Sequence, residues 1–309
     1  MDSMKLEDCC EILDSQRVPI TGSDRTSGDY PYYGANGIQD YVDDFIFDDE
    51  LVLLAEDGGN FGSKTRPIAY RVSGKCWVNN HAHVLKPKAG LDVDYLCYSL
   101  MFYDVGGMVN GATRQKLTQA AMRQMIIPKR SLDEQIEIVN IIKKVQGVIA
   151  SRKEELEQLD LLIKARFVEL FGDININDKN WKYEPLGELC TIVRGGSPRP
   201  IEQFLGGDVP WIKIGDATDG DSIYLNSTKE HIIQEGIKKS RLVKEGSLIF
   251  ANCGVSLGFA RIITFDGCIH DGWLAMEDID ERLDKVFLLQ ALNQMTEPVS
   301  YTHLRAHET

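Results

Sequence analysis

The amino-acid sequence contains two versions of one long pattern, and a single long helical segment lies between them. The matched residues recur in the same order: Leu6, Cys10 and Ile12 with Leu186, Cys190 and Ile192; Pro31-Tyr32 with Pro210-Trp211; Leu51–Ala55, Gly58 and Gly62 with Leu248–Ala251, Gly254 and Gly258; Cys76 with Cys268; and Leu91-Asp92 and Leu100 with Leu283-Asp284 and Leu292. A repeat of this length predicts a duplicated domain, because the repeat of a solenoid spans roughly 20–50 residues. We therefore expect two related modules joined by a spacer.

Composition is compatible with two globular domains of an intracellular protein. A chain of 309 residues, 43% hydrophobic and 26% charged, is long enough for about two hydrophobic cores. No apolar run approaches the ~20 residues that a membrane helix needs, and the N-terminus is acidic where a signal peptide would be apolar. The seven cysteines are odd in number and form no CxxC pair, which predicts reduced thiols and a cytoplasmic location.

The net charge of the chain is −13, and its pI is near 5.0. The first module, the spacer and the second module each hold more acidic than basic side chains. This balance argues against simple electrostatic binding to nucleic acid. Any affinity for DNA must come from local clusters of basic residues or from a partner that supplies positive charge.

The spacer, residues 131–173, is predicted to be one long coiled-coil helix. Ser131 and Glu134 form a capping-box pattern at its start, and Gly172 offers a stop at its end. Apolar residues and two arginines recur with alternating spacings of four and three, the pattern of a coiled-coil seam: Ile138, Ile142, Val145, Ile149, Arg152, Leu156, Leu159, Ile163, Arg166 and Leu170. A helix of about 40 residues is roughly 60 Å long. A seam needs a partner helix, and the sequence contains no second long helical pattern.

The fold class is predicted as α+β, with two β-rich modules joined by the long helix. The domains are predicted at residues 1–130, 131–173 and 180–298. Strands are expected near Leu51–Ala55, Pro67–Val72, Trp211–Ile214, Ser247–Ala251 and Phe259–Ile263, and helices near Asp94–Phe102, Gln115–Gln124 and Asp284–Gln294. Residues 299–309 match neither the repeat nor the helix that ends the first module, and they resemble translated vector sequence. We therefore expect an incomplete second module followed by a non-native tail.

Signatures of enzymes and of metal sites are weak. The turn Gly58-x4-Ser63-Lys64-Thr65 resembles a phosphate-binding loop, but a strand-like segment follows it and the second module has no equivalent lysine. His81 and His83 lack a third metal ligand in the sequence, and His270-Asp271 resembles half of a catalytic triad without a duplicate. We predict no catalytic residue, no metal and no cofactor for this chain.

Polar loops recur in both modules, and their side chains suit contacts with base edges and phosphates. Arg, Lys, Asn and Gln read base edges in the major groove, and Ser and Thr add phosphate contacts. The candidate DNA-binding residues are Tyr33, Asn36, Lys64, Arg66, Arg114 and Lys116 in the first module and Arg194, Ser197, Arg199, Lys213 and Arg241 in the second.

These patterns together resemble the specificity subunit of a type I DNA restriction–modification system. The residues that carry the resemblance are Tyr32–Ile38, Ile126-Ile127-Pro128 and Leu132–Gln135 in the first module, and Gly195–Pro198, Val209–Ile212 and Phe250-Ala251-Asn252-x-Gly254 in the second. The similarity covers residues 5 to about 298. The chain departs from the family where its second long helix is missing.

The resemblance implies two target-recognition domains, each reading one half of a split double-stranded DNA site. It also implies two conserved helices that pack antiparallel, set the distance between the half-sites and dock modification subunits. Those partners bind S-adenosylmethionine and methylate adenine, and a restriction subunit translocates and cuts DNA; the specificity subunit itself is not catalytic. The alternative interpretation is a non-catalytic coiled-coil scaffold with two protein-binding modules, which the acidic charge favours.

Overall fold

The computed structural model describes residues 2–111, 114–218, 222–253 and 258–295. The chain divides into two compact units, residues 1–151 and 152–309, with the boundary inside the long helix. Among the described residues, no helix is long and apolar enough to cross a membrane. The mixture of helices and strands confirms the α+β class, while the predicted domain limits at residues 130 and 180 stay a prediction.

Unit one is built on a six-stranded sheet in the order β2-β7-β5-β6-β3-β4. Its strands are β1 (Ser3–Lys5), β2 (Cys10–Ile12), β3 (Ser27–Gly34), β4 (Gly37–Val42), β5 (Phe47–Ala55), β6 (Ala69–Val78), β7 (Ala82–Pro87), β8 (Val109–Asn110), β9 (Lys116–Leu117) and β10 (Ile126–Pro128). Its helices are α1 (Leu6–Cys9), α2 (Val93–Leu100) and α3 (Gln119–Arg123), followed by the start of α4 (Leu132–Phe171). Two further two-stranded pairs, β1 with β10 and β8 with β9, lie outside the main sheet.

The core of unit one lies on both faces of β5, whose residues Leu51–Ala55 are completely buried. A run of five consecutive buried residues is typical of a central strand covered on both faces. Helix α2 contributes Leu96 and Leu100 to one of these layers. It begins at Asp92, whose carboxylate accepts a hydrogen bond from the Tyr95 amide at 2.9 Å.

Helix α4 has the predicted start and stop. The Ser131 amide donates to Glu134 at 2.8 Å, and the Glu134 amide donates to the Ser131 hydroxyl at 3.4 Å, so the capping box is confirmed. At the other end Gly172 has a left-handed φ of +82°, and its amide donates to the Val168 carbonyl.

The predicted seam of α4 is largely exposed. The exposed apolar seam residues are Val145, Ile149, Leu156, Leu159, Ile163 and Leu170. The residues of α4 that are buried are Gln135, Val139 and Phe167, which the seam does not include. The helix therefore presents to solvent an apolar surface of the kind that a partner helix covers.

Unit two contains the remainder of α4, helices α5 (Leu186–Leu189), α6 (Gln234–Ile237) and α7 (Lys285–Met295), and two sheets. Its strands are β11 (Thr191–Arg194), β12 (Leu205–Ile212), β13 (Tyr224–Leu225), β14 (Glu230–Ile232), β15 (Arg241–Val243), β16 (Leu248–Ala251), β17 (Ala260–Ile263), β18 (Gly267–Ile269) and β19 (Trp273–Glu277). The first sheet has the order β11-β19-β16-β17-β13 and the second the order β14-β12-β18-β15.

The pairing of the strands shows the duplication directly. In unit one Ile12 and Val52 both lie opposite Leu85; in unit two Ile192 and Leu248 both lie opposite Met276. The Ala55 amide donates to Ile68, and the Ala251 amide donates to Phe259. Equivalent strands thus pair in the same register, because the same buried segments were retained in both copies.

Two details differ from the sequence prediction. Trp77 lies opposite Tyr32, whereas Cys268 lies opposite Trp211, so the expected match of Cys76 with Cys268 is displaced by one residue. The predicted helix at Gln115–Gln124 is shorter, because Lys116–Leu117 pairs as β9 and α3 begins only after Thr118.

Candidate nucleic-acid interface

Three loops of unit one meet at Gly58. The Asn36 side-chain amide donates to the Gly58 carbonyl at 3.0 Å, and the Gly58 amide donates to the Gln115 carbonyl at 3.1 Å. Gly58 has a left-handed φ of +64°, and a Cβ atom there would lie 3.1 Å from Nε of Arg114. The glycine is therefore required by both its backbone conformation and the close approach of the arginine.

Asp57 binds two of the side chains at this meeting point. Its Oδ1 atom lies 2.6 Å from Nδ1 of His81 and accepts from Nη2 of Arg114 at 2.8 Å. Arg114 is exposed, and His81 is one-third exposed. This group, Asp57–His81–Arg114, combines candidate Arg114 with two residues that were not predicted to contact DNA; we call it the Asp57 cluster.

A buried ionic network lies directly beneath the Asp57 cluster. Asp14 accepts from His83 at 2.6 Å and from Gln119 at 2.9 Å, while Glu56 accepts from Arg17 at 2.6 Å and from Lys116 at 2.9 Å. Burial alone would raise the pKa of the Asp14 and Glu56 carboxyls, but these contacts outweigh it and lower both pKa values.

The carboxylates of Asp14 and Glu56 and the imidazole of His83 offer three possible metal-ligand atoms within 4.8 Å of one another. Arg17 and Lys116 already neutralise these carboxylates. The arrangement is therefore that of a satisfied ion-pair network, and it anchors candidate Lys116 by its charged end.

The other candidates of unit one have different surroundings. Lys64 and Arg66 are exposed in the loop between β5 and β6, where the Arg66 amide donates to the Ser63 hydroxyl at 2.9 Å. Tyr33 is partly buried, its ring 5.8 Å from that of Tyr70, and burial raises its pKa. Tyr33 thus lies in the packing behind the loops.

In unit two, Asp271 contacts Ser197, His270 and Arg194. Its Oδ1 atom accepts from the Ser197 hydroxyl at 2.8 Å and contacts Nε2 of His270 at 3.0 Å, and its carbonyl accepts from Arg194 at 3.1 Å. The Ser197 hydrogen bond holds the pKa of Asp271 below its usual value. The structure therefore brings candidates Arg194 and Ser197 together around an aspartate.

Positive charge surrounds His270. Burial lowers the pKa of the imidazole, and the nearby charges of Arg199 and Lys213 lower it further against the opposing effect of Asp271. Nδ1 of His270 accepts from the Gly272 amide at 2.9 Å, so this atom carries no proton. Candidates Arg199 and Lys213 therefore belong to the same surface as Arg194 and Ser197.

Two candidates of unit two have acidic partners. Lys213 forms an ion pair with Glu230. Arg241 forms one with Glu277 at 2.6 Å, between strands β15 and β19 of the two different sheets of unit two. The amino group of Lys213 also lies 5.7 Å above the Trp211 ring. Of these two, only Lys213 is placed near His270.

The residues at these two sites that sequence reasoning did not select are acidic. Asp57 and Asp271 each organise an arginine and a histidine, yet neither was selected, because carboxylates repel phosphates and do not form part of a basic DNA-binding pattern. His81 was interpreted as structural, and His270 with Asp271 was noted as resembling half of a catalytic triad without a duplicate. A usable signal was the position of both histidines just after equivalent strands, β6 and β18.

Comparison with known proteins assigns the fold to a family. The sequence model of the type I restriction modification DNA specificity domain matches residues 1–161, just over half of the chain. The chain belongs to the type I restriction–modification specificity family. This result confirms the resemblance that the repeated loops and the helix start indicated.

Individual relatives agree with this assignment. A Haemophilus influenzae protein assigned as a type I restriction enzyme specificity subunit is 31% identical over 286 residues, which are 90% of this chain and 72% of that protein. The MjaIX specificity subunit of Methanocaldococcus jannaschii is 25% identical and is matched over 63% of this chain and half of its own length.

A solved structure from work on assembly and conformational transition of the type I R-M system shares the fold. Its TM-score is 0.51 at 16% sequence identity, and the match covers 97% of this chain and 80% of that one. At this identity the likeness concerns the fold alone, namely β-rich regions separated by a long helix.

Proposed function

We propose that this chain is the DNA-reading subunit of a type I restriction–modification complex, with each unit reading one half of a bipartite site. Membership of the specificity family supports the general function. The division of labour between the units, and the domain limits at residues 1–130, 131–173 and 180–298, belong to the proposal.

The observation that carries the proposal is that each unit has an aspartate in contact with a histidine and an arginine. In unit one the Asp57 carboxylate contacts His81 and Arg114, which come from different loops. In unit two the Asp271 carboxylate contacts the adjacent His270, and the Asp271 main-chain carbonyl accepts from Arg194 at the end of β11. The commonest specific contact in the major groove is a bidentate one between arginine or lysine and guanine, and an arginine held in a fixed orientation suits it. Arg199 in unit two, and Lys64 and Arg66 in unit one, supply charge for phosphates around these groups. Lys116 and Lys213 are already paired with Glu56 and Glu230, so they contribute less of this charge.

The remaining candidates have supporting roles in this proposal. Asn36 positions the loop at Gly58, Tyr33 packs behind it, and Ser197 fixes the Asp271 carboxylate. Arg241 is neutralised by Glu277, so we place it at the margin of the DNA-binding surface.

Helix α4 fits the role of spacer and docking element. It is 40 residues long, and its exposed apolar seam is suited to packing against a partner helix. We propose that modification subunits, which would bind S-adenosylmethionine, and a restriction subunit assemble with this chain. With a net charge of −13, the chain then depends on these partners for part of the contact with phosphates.

Single-molecule sequencing of methylated genomic DNA tests the proposal. Cells that express this chain with the modification subunit of the same system should carry methyladenine in a motif of two defined half-sites separated by undefined bases. Cells without the chain serve as the control and should lose the motif. Methylation without a bipartite motif, or DNA binding without sequence preference, would instead support the scaffold interpretation.

A further inference from the structure

The Asp57 cluster presents a defined set of hydrogen-bonding groups to solvent. A carboxylate oxygen only accepts hydrogen bonds, so the tautomer of His81 that bonds to Asp57 across the 2.6 Å contact carries its proton on Nδ1. In the neutral imidazole, Nε2 is then an acceptor. Among the described residues Nε2 has no partner, and the side chain is one-third exposed. His81 therefore offers an acceptor to an approaching molecule.

Arg114 offers donors beside that acceptor. Its hydrogen bond with Asp57 uses Nη2, which lies 3.5 Å from Nδ1 of His81, and Nη1 has no partner within the described ranges. The guanidinium remains 59% exposed although its Nη2 is held by the carboxylate. The fork formed by Nη1 and the second hydrogen of Nη2 is consequently oriented and available.

The surroundings hold this pair in place. The amides of Glu56 and Asp57 both donate to the His81 carbonyl, at 2.8 and 3.4 Å, and Asp57 forms a β-bridge with Lys116. Glu56 and Lys116 are bound in turn to the ionic network beneath. Groups that read bases need such support, because a displacement of about 1 Å loses the contact.

We propose that Asp57 is the positioning residue for base recognition by unit one, holding Arg114 against a guanine and His81 against an amino-bearing base, adenine or cytosine, of the adjacent base pair. In the major groove guanine presents two acceptors that match the arginine fork, while adenine and cytosine present amino donors that match the Nε2 acceptor. Because one carboxylate oxygen contacts both side chains, the two bases that they read are expected in neighbouring base pairs. The inference rests on the proposed function.

Selection from a randomised DNA duplex library, with the chain bound to the modification subunit of its system, tests this assignment. The wild-type complex should prefer guanine at one position of one half-site and an amino base beside it. Asp57→Asn should weaken both preferences, Arg114→Ala only the first and His81→Ala only the second. Each lost preference should amount to roughly 5- to 150-fold.

Asp49→Asn is the matched control, because Asp49 forms an exposed surface pair with Lys86 in the same unit. It should leave both preferences unchanged, and circular dichroism should show that all variants are folded. The other half-site reports on unit two and should be unaffected throughout. This readout separates a positioning role from a general loss of structure.

The outcomes distinguish the inference from the proposed function. If the wild-type complex shows no base preference anywhere, both are overturned. If it reads a bipartite site but Asp57→Asn retains the wild-type preferences in both halves, the role of Asp57 is overturned alone. The proposed role of Asp57 is also contradicted if none of the positions that respond to Arg114→Ala is a guanine.

Discussion

Substitution of Asp14 should strongly decrease the stability of unit one. Its side chain is almost fully buried and accepts hydrogen bonds from His83, Gln119 and the Val84 amide. Asp14→Ala would leave these donors unpaired in the interior, so we expect the stability of unit one to fall by about 3–5 kcal/mol. Hydrogen exchange of the β5 and β7 amides measures this loss.

The exposed pair of Asp49 and Lys86 provides the comparison for that experiment. Asp49→Ala removes a carboxylate from the same unit, but this pair is solvated, and the expected change is about 0–1 kcal/mol. Equal effects of the two substitutions would show that the buried network does not stabilise unit one.

The same network should make unit one sensitive to acid. The pKa values of Asp14 and Glu56 lie below the ordinary 3.8 and 4.5, so the unfolded chain binds protons more readily than the folded one. Their stabilisation is therefore present above those ordinary values and is lost as the pH falls through the lower pKa values of the folded state.

We expect exchange protection of β5 and β7 to be nearly constant from neutral pH to about pH 5, after correction for the intrinsic exchange rate, and to fall below about pH 4.5. In a variant with Asp14→Asn and Glu56→Gln this additional loss should be absent. If the exchange protection of the wild-type protein instead rises as the pH falls below about 4.5, the predicted dependence of stability on pH is wrong.

At the scale of single residues the sequence was only partly informative. It selected Arg114, Arg194 and Ser197 because their side-chain types suit base and phosphate contacts, and their contact with DNA stays a prediction. It could not identify the contact of Asp57 with Arg114 and His81, since these residues are brought together only by the pairing of β5 with β7 and by the bridge between Asp57 and Lys116. Long-range contacts of this kind leave no periodic pattern in a single sequence.

Elements with a strong local signal were predicted well. The capping box at Ser131, the stop at Gly172 and the buried strand ending at Ala55 all agree with the structure. Local hydrogen bonds and short-range hydrophobic periodicity determine these features. The short strand β9 was mistaken for a helix, because its pairing partner lies in β8 and its own two residues carry no recognisable alternation.

Lengthening α4 tests its proposed role as a spacer. Insertion of seven residues that repeat the seam pattern after Ser151 adds roughly 10 Å and close to two full turns, so the exposed seam keeps its face. We expect the undefined gap between the half-sites to grow by about three base pairs, with both half-sites unchanged.

The control for that insertion is the same seven residues appended after Thr309, which should leave the gap as it is. Methylated-motif sequencing gives the gap directly. An insertion in α4 that retains methylation with an unaltered gap would show that the helix does not set the spacing.

At the scale of the whole molecule, the account depends on the correspondence between two units and two half-sites. The units share strand registers, and each has an aspartate that binds an arginine and a histidine. Their surroundings differ, since the arginines lie at non-equivalent positions and the strand β6 of unit one corresponds to two shorter strands in unit two. Similar frameworks with different loop residues suit two different half-site sequences.

The most direct test compares Arg114→Ala and Arg194→Ala, one substitution in each unit, by base-preference profiling of the complex on randomised duplexes. We predict that each variant relaxes recognition in a different half-site, by about 1–3 kcal/mol at the affected position, and leaves the other half intact. Loss of preference in the same half-site by both variants, or unchanged profiles for both, would contradict the assignment of one half-site to each unit.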